Sequence, residues 1–202
     1  MSLTVIRTVQ RVIVHPGYRR SQSFADDIAL IIYVVSTFLQ LRWPVEFSHI
    51  VHSIEIVDHE VEPLTNCQVS GWGATEWQGI MPAELRQANV TMVSRSFCNS
   101  SDSYGATFVD GMVCANGFNE EGVIDVCQGD SGGPLTCNNK LVGLASFGVQ
   151  CGFALHFPGV FTDVYFYREW IEDNWSSAVT FKQSNLIIAL GLLVTTFKKL
   201  RI

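Results

Sequence analysis

Asp125-Val126-Cys127-Gln128-Gly129-Asp130-Ser131-Gly132-Gly133-Pro134-Leu135 sets one serine among glycines, with an acid at one end and a proline at the other. Glycine adopts backbone conformations that side chains forbid, so this loop can bring the N–H groups of Gly129 and Ser131 to a single point. Two converging donors suit an oxyanion, the charge that develops when a serine hydroxyl attacks a carbonyl. The same glycines would also serve a plain turn. The loop therefore takes its meaning from the rest of the chain.

The chain has 202 residues, 48% hydrophobic and 16% charged, with a formal charge of -6. That size allows one domain or two small ones sharing a seam, and that composition excludes a disordered or collagenous polymer. No Lys/Arg-rich run occurs before the last five residues, so the electrostatic footprint of nucleic-acid binding is missing and no nucleic-acid partner is expected. Cys67, Cys98, Cys114, Cys127, Cys137 and Cys151 show neither Cys-x-x-Cys nor zinc-finger spacing, and no metal site is expected. An even set spaced 10 to 31 residues apart reads instead as a disulfide framework in an oxidising compartment, with fifteen pairings open. An extracellular protein is expected. The triplets Asn89-Val90-Thr91, Asn99-Ser100-Ser101 and Asn174-Trp175-Ser176 are glycosylation sequons and agree with that compartment. Met1 to Val14, by contrast, carries Arg7 and Arg11 and has no continuous apolar core, so no signal peptide is visible. Secreted-type cysteines without an export signal lead to the expectation of a sequence that lacks its true amino-terminal part.

Short β-branched and apolar runs punctuated by Gly, Pro, Asn and Ser predict strands at Val5–Val14, Cys67–Gly71, Ala88–Val93, Leu141–Phe147 and Gly159–Val164. Only Tyr165–Trp175 has the spacing of a short amphipathic helix. The acidic, Pro63-containing stretch Asp58–Asn66 serves as the connection, dividing the chain into 1–62, 63–175 and a tail at 176–202. Ile28–Leu41 reads as a buried strand with an apolar extension, since it is short for a bilayer span. Leu186–Phe197, followed by Lys198, Lys199 and Arg201, is an apolar and basic tail. It is read either as a membrane attachment, directly or through a glycolipid signal at Ser176, Ser177 and Ala178, or as an interfacial or disordered end.

The loop around Ser131 closely resembles the nucleophile segment of the trypsin/chymotrypsin family of serine endopeptidases. The likeness runs from about Val12 to Trp175 through Asp27-Ile28-Ala29-Leu30, Val69-Ser70-Gly71-Trp72-Gly73, Met112-Val113-Cys114-Ala115, Ser146-Phe147-Gly148 and Pro158-Gly159-Val160-Phe161-Thr162. It implies an all-β, chymotrypsin-like double β-barrel with the first barrel incomplete, a short C-terminal helix and an extra hydrophobic tail. It also implies the disulfides Cys67–Cys137, Cys98–Cys114 and Cys127–Cys151. Position by position, Ser131 matches the nucleophile, Gly129 and Ser131 the oxyanion donors, and Asp27 the carboxylate that orients the base; the other reading of Asp27 is a capping or surface acid. Ser146 matches the serine that supports this carboxylate, and Asp125 the acid at the floor of the primary specificity pocket. Gly148 and Gly159 match the small residues of the pocket walls, and Phe147 stands where the family usually has tryptophan. Val126 likewise replaces a smaller or hydroxylated residue near the floor. An anionic floor rejects the wrong charge, so the implied substrates are proteins or peptides cleaved after Arg or Lys, with protease inhibitors as further partners. No cofactor is implied.

Three departures qualify the likeness. The family's Ala-Ala-His-Cys segment is absent, and His15, His49, His52, His59 and His156 all lie in other contexts and read as solvated loop or edge histidines. No activation sequence precedes the domain, so Asp130 is expected to lack its amino-terminal partner and either to protonate or to pull its loop out of shape. The early strands are missing too, which predicts an uncovered apolar face. The 202 residues alone are therefore expected to be inactive, and a non-catalytic homologue that binds a protein partner is the alternative function.

Overall fold

The computed structural model describes residues 9–19, 24–33, 52–120, 122–151, 153, 155–180 and 199–201. The apolar extension from Val34 to Leu41, His49 and most of the tail lie outside the described residues.

Strands β1 (Val9–Val14) and β2 (Ala29–Tyr33) form an antiparallel ribbon in which Val12 faces Ile31 and Ile13 faces Leu30. Side chains alternate across a strand, so the ribbon has two unlike faces. Leu30, on one, is buried with Ile13 packed against it, whereas Val12, Val14 and Ile31 stand about half exposed. Strand β3 (Ser53–Ile56) carries the chain into the second half.

There β4 (Asn66–Gly71), β5 (Arg86–Val93), β6 (Met112–Asn119), β8 (Pro134–Cys137), β9 (Lys140–Phe147) and β10 (Gly159–Asp163) close a six-stranded barrel. The ring runs β4-β5-β6-β10-β9-β8 and back to β4, every pair antiparallel. Closure removes the unpaired edges that an open sheet would expose. Alternation fills the interior: Cys67, Val69, Val90, Met92, Leu135, Ala145 and Phe161 are all buried in one cluster. Strand β7 (Gly122–Ile124) pairs with β6, and β11 (Lys199–Arg201) with β3. Between β8 and β9 the two-residue turn Asn138-Asn139 has both φ angles positive, at 51° and 60°, a twist that suits a tight hairpin.

Helix α1 (Arg95–Cys98) is capped by Ser94, whose side chain accepts from the Phe97 amide. Helix α2 spans Arg168–Thr180 and so starts later and ends later than the sequence pattern predicts. Its start is set by Asp163, whose Oδ1 accepts from the amides of Tyr165 and Phe166 and holds those residues in a turn. Tyr167 and Ile171 then pack on Ile28, Leu30, Ile56 and Leu141, so the seam between ribbon and barrel is a second apolar core. All three disulfides join the cysteines that the family resemblance implies, Cys67–Cys137, Cys98–Cys114 and Cys127–Cys151. The first closes a 70-residue span and the other two much shorter ones.

Leu135 is fully enclosed in the barrel, so Leu135→Ala is expected to cost about 2–5 kcal/mol in denaturant unfolding, whereas the exposed Ile80→Ala should stay within about 0.5 kcal/mol. Burial pushes the Asp163 carboxyl above its ordinary 3.8, against the two amides that favour its charged form. The native state thus holds this proton more tightly than the unfolded chain, and its contribution to stability falls as pH rises through the raised native value. Asp163→Asn keeps an acceptor without the buried charge. Its Tm is expected to match wild type at low pH and to gain on it as pH climbs.

Candidate active site

The loop between β7 and β8 is a chain of short backbone bonds. The Asp130 amide donates to the Cys127 carbonyl at 3.0 Å, Gly133 donates to the Asp130 carbonyl at 2.7 Å, and Gly132 donates to Ala145 at 2.7 Å. Gly129 (φ 102°) and Gly132 (φ 80°) occupy conformations that L side chains rarely adopt, which is why glycine recurs on either side of Ser131. Ser131 is exposed at the loop's tip. Among the described residues the amides of Gly129 and Ser131 have no protein acceptor.

Asp130 turns inward. Its Oδ1 accepts from the Gly73 amide at 2.8 Å and its Oδ2 from the Cys127 amide at 2.9 Å. The expected distortion of the loop is corrected: two backbone amides bond this carboxylate, and the loop keeps its turn. A cradle makes this approach feasible. A Cβ on Gly73 would lie 2.3–2.5 Å from the Asp130 carboxyl atoms, and one on Gly71 only 2.0 Å from Oδ1.

Asp27 comes from the ribbon. Ser146 Oγ donates to its Oδ2 at 2.7 Å, and Thr162 Oγ1 donates to its backbone carbonyl at 2.7 Å. Two barrel strands, β9 and β10, therefore pin a carboxylate that enters from the other half of the chain. Asp26, in a left-handed conformation (φ 57°), accepts from Tyr167 Oη at 2.9 Å and fixes the adjacent turn to α2.

Asp125, Ser131, Ser146, Phe147, Gly148 and Cys151 line one cavity of about 250 Å³. Asp125 Oδ1 accepts from the Val126 amide at 2.8 Å. A side chain at Gly159 would meet that same oxygen at 2.5 Å, so the glycine makes room for the acid. At Gly148 the nearest atoms are 4.0 Å away, and a side chain there would occupy the cavity. Phe147 stacks on Phe24 at 4.7 Å and meets the edge of Tyr104 at 5.5 Å. Tyr104 in turn donates to the Pro158 carbonyl at 2.8 Å. Burial, and then the Asp125 charge, push its ionisation well above the usual tyrosine range.

Sequence reasoning missed Tyr104, Thr162 and Trp77, which also lines the cavity. Thr162 lies in the Pro158–Thr162 stretch that carries the family likeness. Trp77 carried no signal, because only the fold brings its loop to the cavity. Among the described residues Asp27 is bonded by Ser146 and Thr162, and neither is a histidine. His59 pairs with Asp58, while His52 and His156 are exposed. His15 is not the solvated loop residue that its context predicts. Its ring makes edge contacts with Tyr167 at 5.2 Å and Trp170 at 5.0 Å, and its Nδ1 accepts from the Gly17 amide at 3.2 Å and lies 3.5 Å from Asp26 Oδ1, partners that hold it at the seam.

The closed barrel, the companion ribbon and the serine loop define a chymotrypsin-like serine protease architecture. A trypsin family profile matches residues 4–171, and the chain belongs to this family. It is 36% identical over 177 residues to transmembrane protease serine 11G of Mus musculus, covering 84% of this chain and 40% of that protein. It is 37% identical over 170 residues to kallikrein-14 of Homo sapiens, covering 84% and 58% respectively. The chain thus spans about two fifths to three fifths of the length of these relatives. Neuropsin, a serine protease expressed in the limbic system of mouse brain, superposes with a TM-score of 0.68 at 32% identity, covering 83% of this chain and 71% of that one. Among the described residues no helix is long and apolar enough to cross a membrane.

Gly73→Ala is expected to drive the Asp130 carboxylate out of its cradle and to lower stability by about 1–3 kcal/mol, read by denaturant unfolding.

Proposed function

We propose that this site carries serine endopeptidase chemistry with a preference for Arg or Lys, and that the 202 residues alone do not turn over. The supporting observation is the Ser146 bond, which ties Asp27 to the wall of the cavity that also holds Asp125 and Ser131. In this reading Ser131 Oγ attacks the scissile carbonyl, while the Gly129 and Ser131 amides take the developing oxyanion. Asp27 orients an imidazole that would receive the serine proton. The sequence has no Ala-Ala-His-Cys block, and Asp27 is bonded to Ser146 and Thr162, so among the described residues this proton has no acceptor. Asp125 at the cavity floor selects a cationic side chain. Compartment follows from the disulfides: the protein works outside the cell, secreted or held at the surface, on protein or peptide substrates.

A second reading rests on the same cavity. With an acidic pocket and no base among the described residues, the chain would hold a basic side chain without cutting beside it, as a non-catalytic homologue.

Two measurements test what both readings share, an unactivated serine and an acidic pocket. A fluorophosphonate, which reacts with an activated serine, should leave the folded 202-residue chain unlabelled; labelling abolished by Ser131→Ala would overturn the inactivity. An aryl amidinium probe should bind wild type and lose about a hundredfold in affinity on Asp125→Ser. Equal binding by the two would sink the assigned specificity.

A further inference from the structure

The three glycosylation sequons differ in what the fold does with their asparagines. Asn174 lies within α2 and spends its Nδ2, the atom that would carry a sugar, on the Trp170 carbonyl at 2.9 Å. Asn99 caps the end of α1 beside Cys98, which is disulfide-bonded, and its backbone N–H donates to Arg95. Asn89 sits in the middle of β5 with its side chain exposed. Strand alternation puts Asn89 and Thr91 on the outer face while Val90 is buried in the barrel, so both sequon side chains that matter share the solvent side. Asn89 accepts from Gln68 Nε2 through Oδ1, at 3.2 Å. That bond uses Oδ1, and among the described residues Nδ2 makes no hydrogen bond.

A second feature adjoins it. Asn89 lines an open groove of about 440 Å³ together with Asn66, Gln68, Thr136, Asn138 and Asn139. No charged side chain is among its lining residues. Amides and hydroxyls can each donate and accept, which is the chemistry that the hydroxyls and acetamide of a sugar match. The left-handed Asn138-Asn139 turn sets two of these amides at the rim.

We propose that Asn89 is an N-glycosylation site and that the first N-acetylglucosamine of its glycan lies along this groove. In the transfer, Asn89 Nδ2 forms a bond to the anomeric carbon of a lipid-diphosphate-linked oligosaccharide. The carbon–oxygen bond to the diphosphate breaks, one Nδ2 proton is released, and the lipid diphosphate leaves with the electron pair. The proposal rests on the extracellular reading given above, since the transfer takes place in the secretory pathway.

The test is to secrete the full chain from eukaryotic cells behind a supplied leader and to release N-glycans with an amidase in heavy-oxygen water. Peptide mapping should then find aspartate with the heavy label at position 89. Electrophoretic mobility should shift on Asn89→Gln and equally on Thr91→Val, a variant that keeps the asparagine and its Gln68 bond. The glycan should also be released more slowly from native than from denatured protein. A secreted, disulfide-bonded chain with unmodified Asn89, or with sugar only at Asn99 or Asn174, overturns the site. Equal release rates overturn the groove contact. A chain that stays in the cytosol with reduced cysteines overturns the extracellular reading itself, and the site with it.

Discussion

The Asp130 carboxylate, folded back between Gly71 and Gly73 and held by the amides of Gly73 and Cys127, is the constraint on which the site depends. A carboxylate brought out of water is costly unless it gains hydrogen bonds in return. Two amides supply them here, and each ties the Ser131 loop to something else. Gly73 belongs to the segment following β4, and Cys127 is bridged to Cys151. With Asp130 turned in, the neighbouring Ser131 is turned out, and the glycines on either side absorb the backbone angles that this reversal requires. The cavity wall, the serine and the two open amides thus follow from one inward-facing side chain.

Asp27 depends on a different kind of constraint. It arrives on a ribbon that cannot bury both of its faces, and the seam with Ile56, Leu141, Tyr167 and Ile171 holds the buried face in place. Apolar burial is non-directional, so it can dock the ribbon without fixing the position of one carboxylate. Direction comes from the hydroxyls of Ser146 and Thr162, which hold the side chain and the backbone of the same residue. The opposite face keeps Val12, Val14 and Ile31 in contact with water.

The strands read from punctuated β-branched and apolar runs reappear within a few residues of their expected ends, because such runs and their turn residues are local properties of the chain. Helix α2 shifted because its first turn is set by Asp163, a cap that hydrophobic spacing does not register. Strand β8 was not read at all: Pro134–Cys137 is four residues long and takes its pairing from β4 and β9 on either side. The position of Asp130 was misjudged for a related reason. Its partners are backbone amides, which every residue carries and no sequence pattern marks.

By itself the sequence determined the all-β class of fold through its punctuated apolar runs, and its likeness to the trypsin/chymotrypsin family pointed to Ser131, Asp27 and Asp125 as site candidates and implied the disulfide pairs that the structure shows. Only the tertiary structure decided that the Asp125 cavity also takes in Trp77, that Asp130 is satisfied, and that His15 is packed into the seam. These outcomes depend on distances between residues far apart in the chain, and barrel closure and seam packing set those distances.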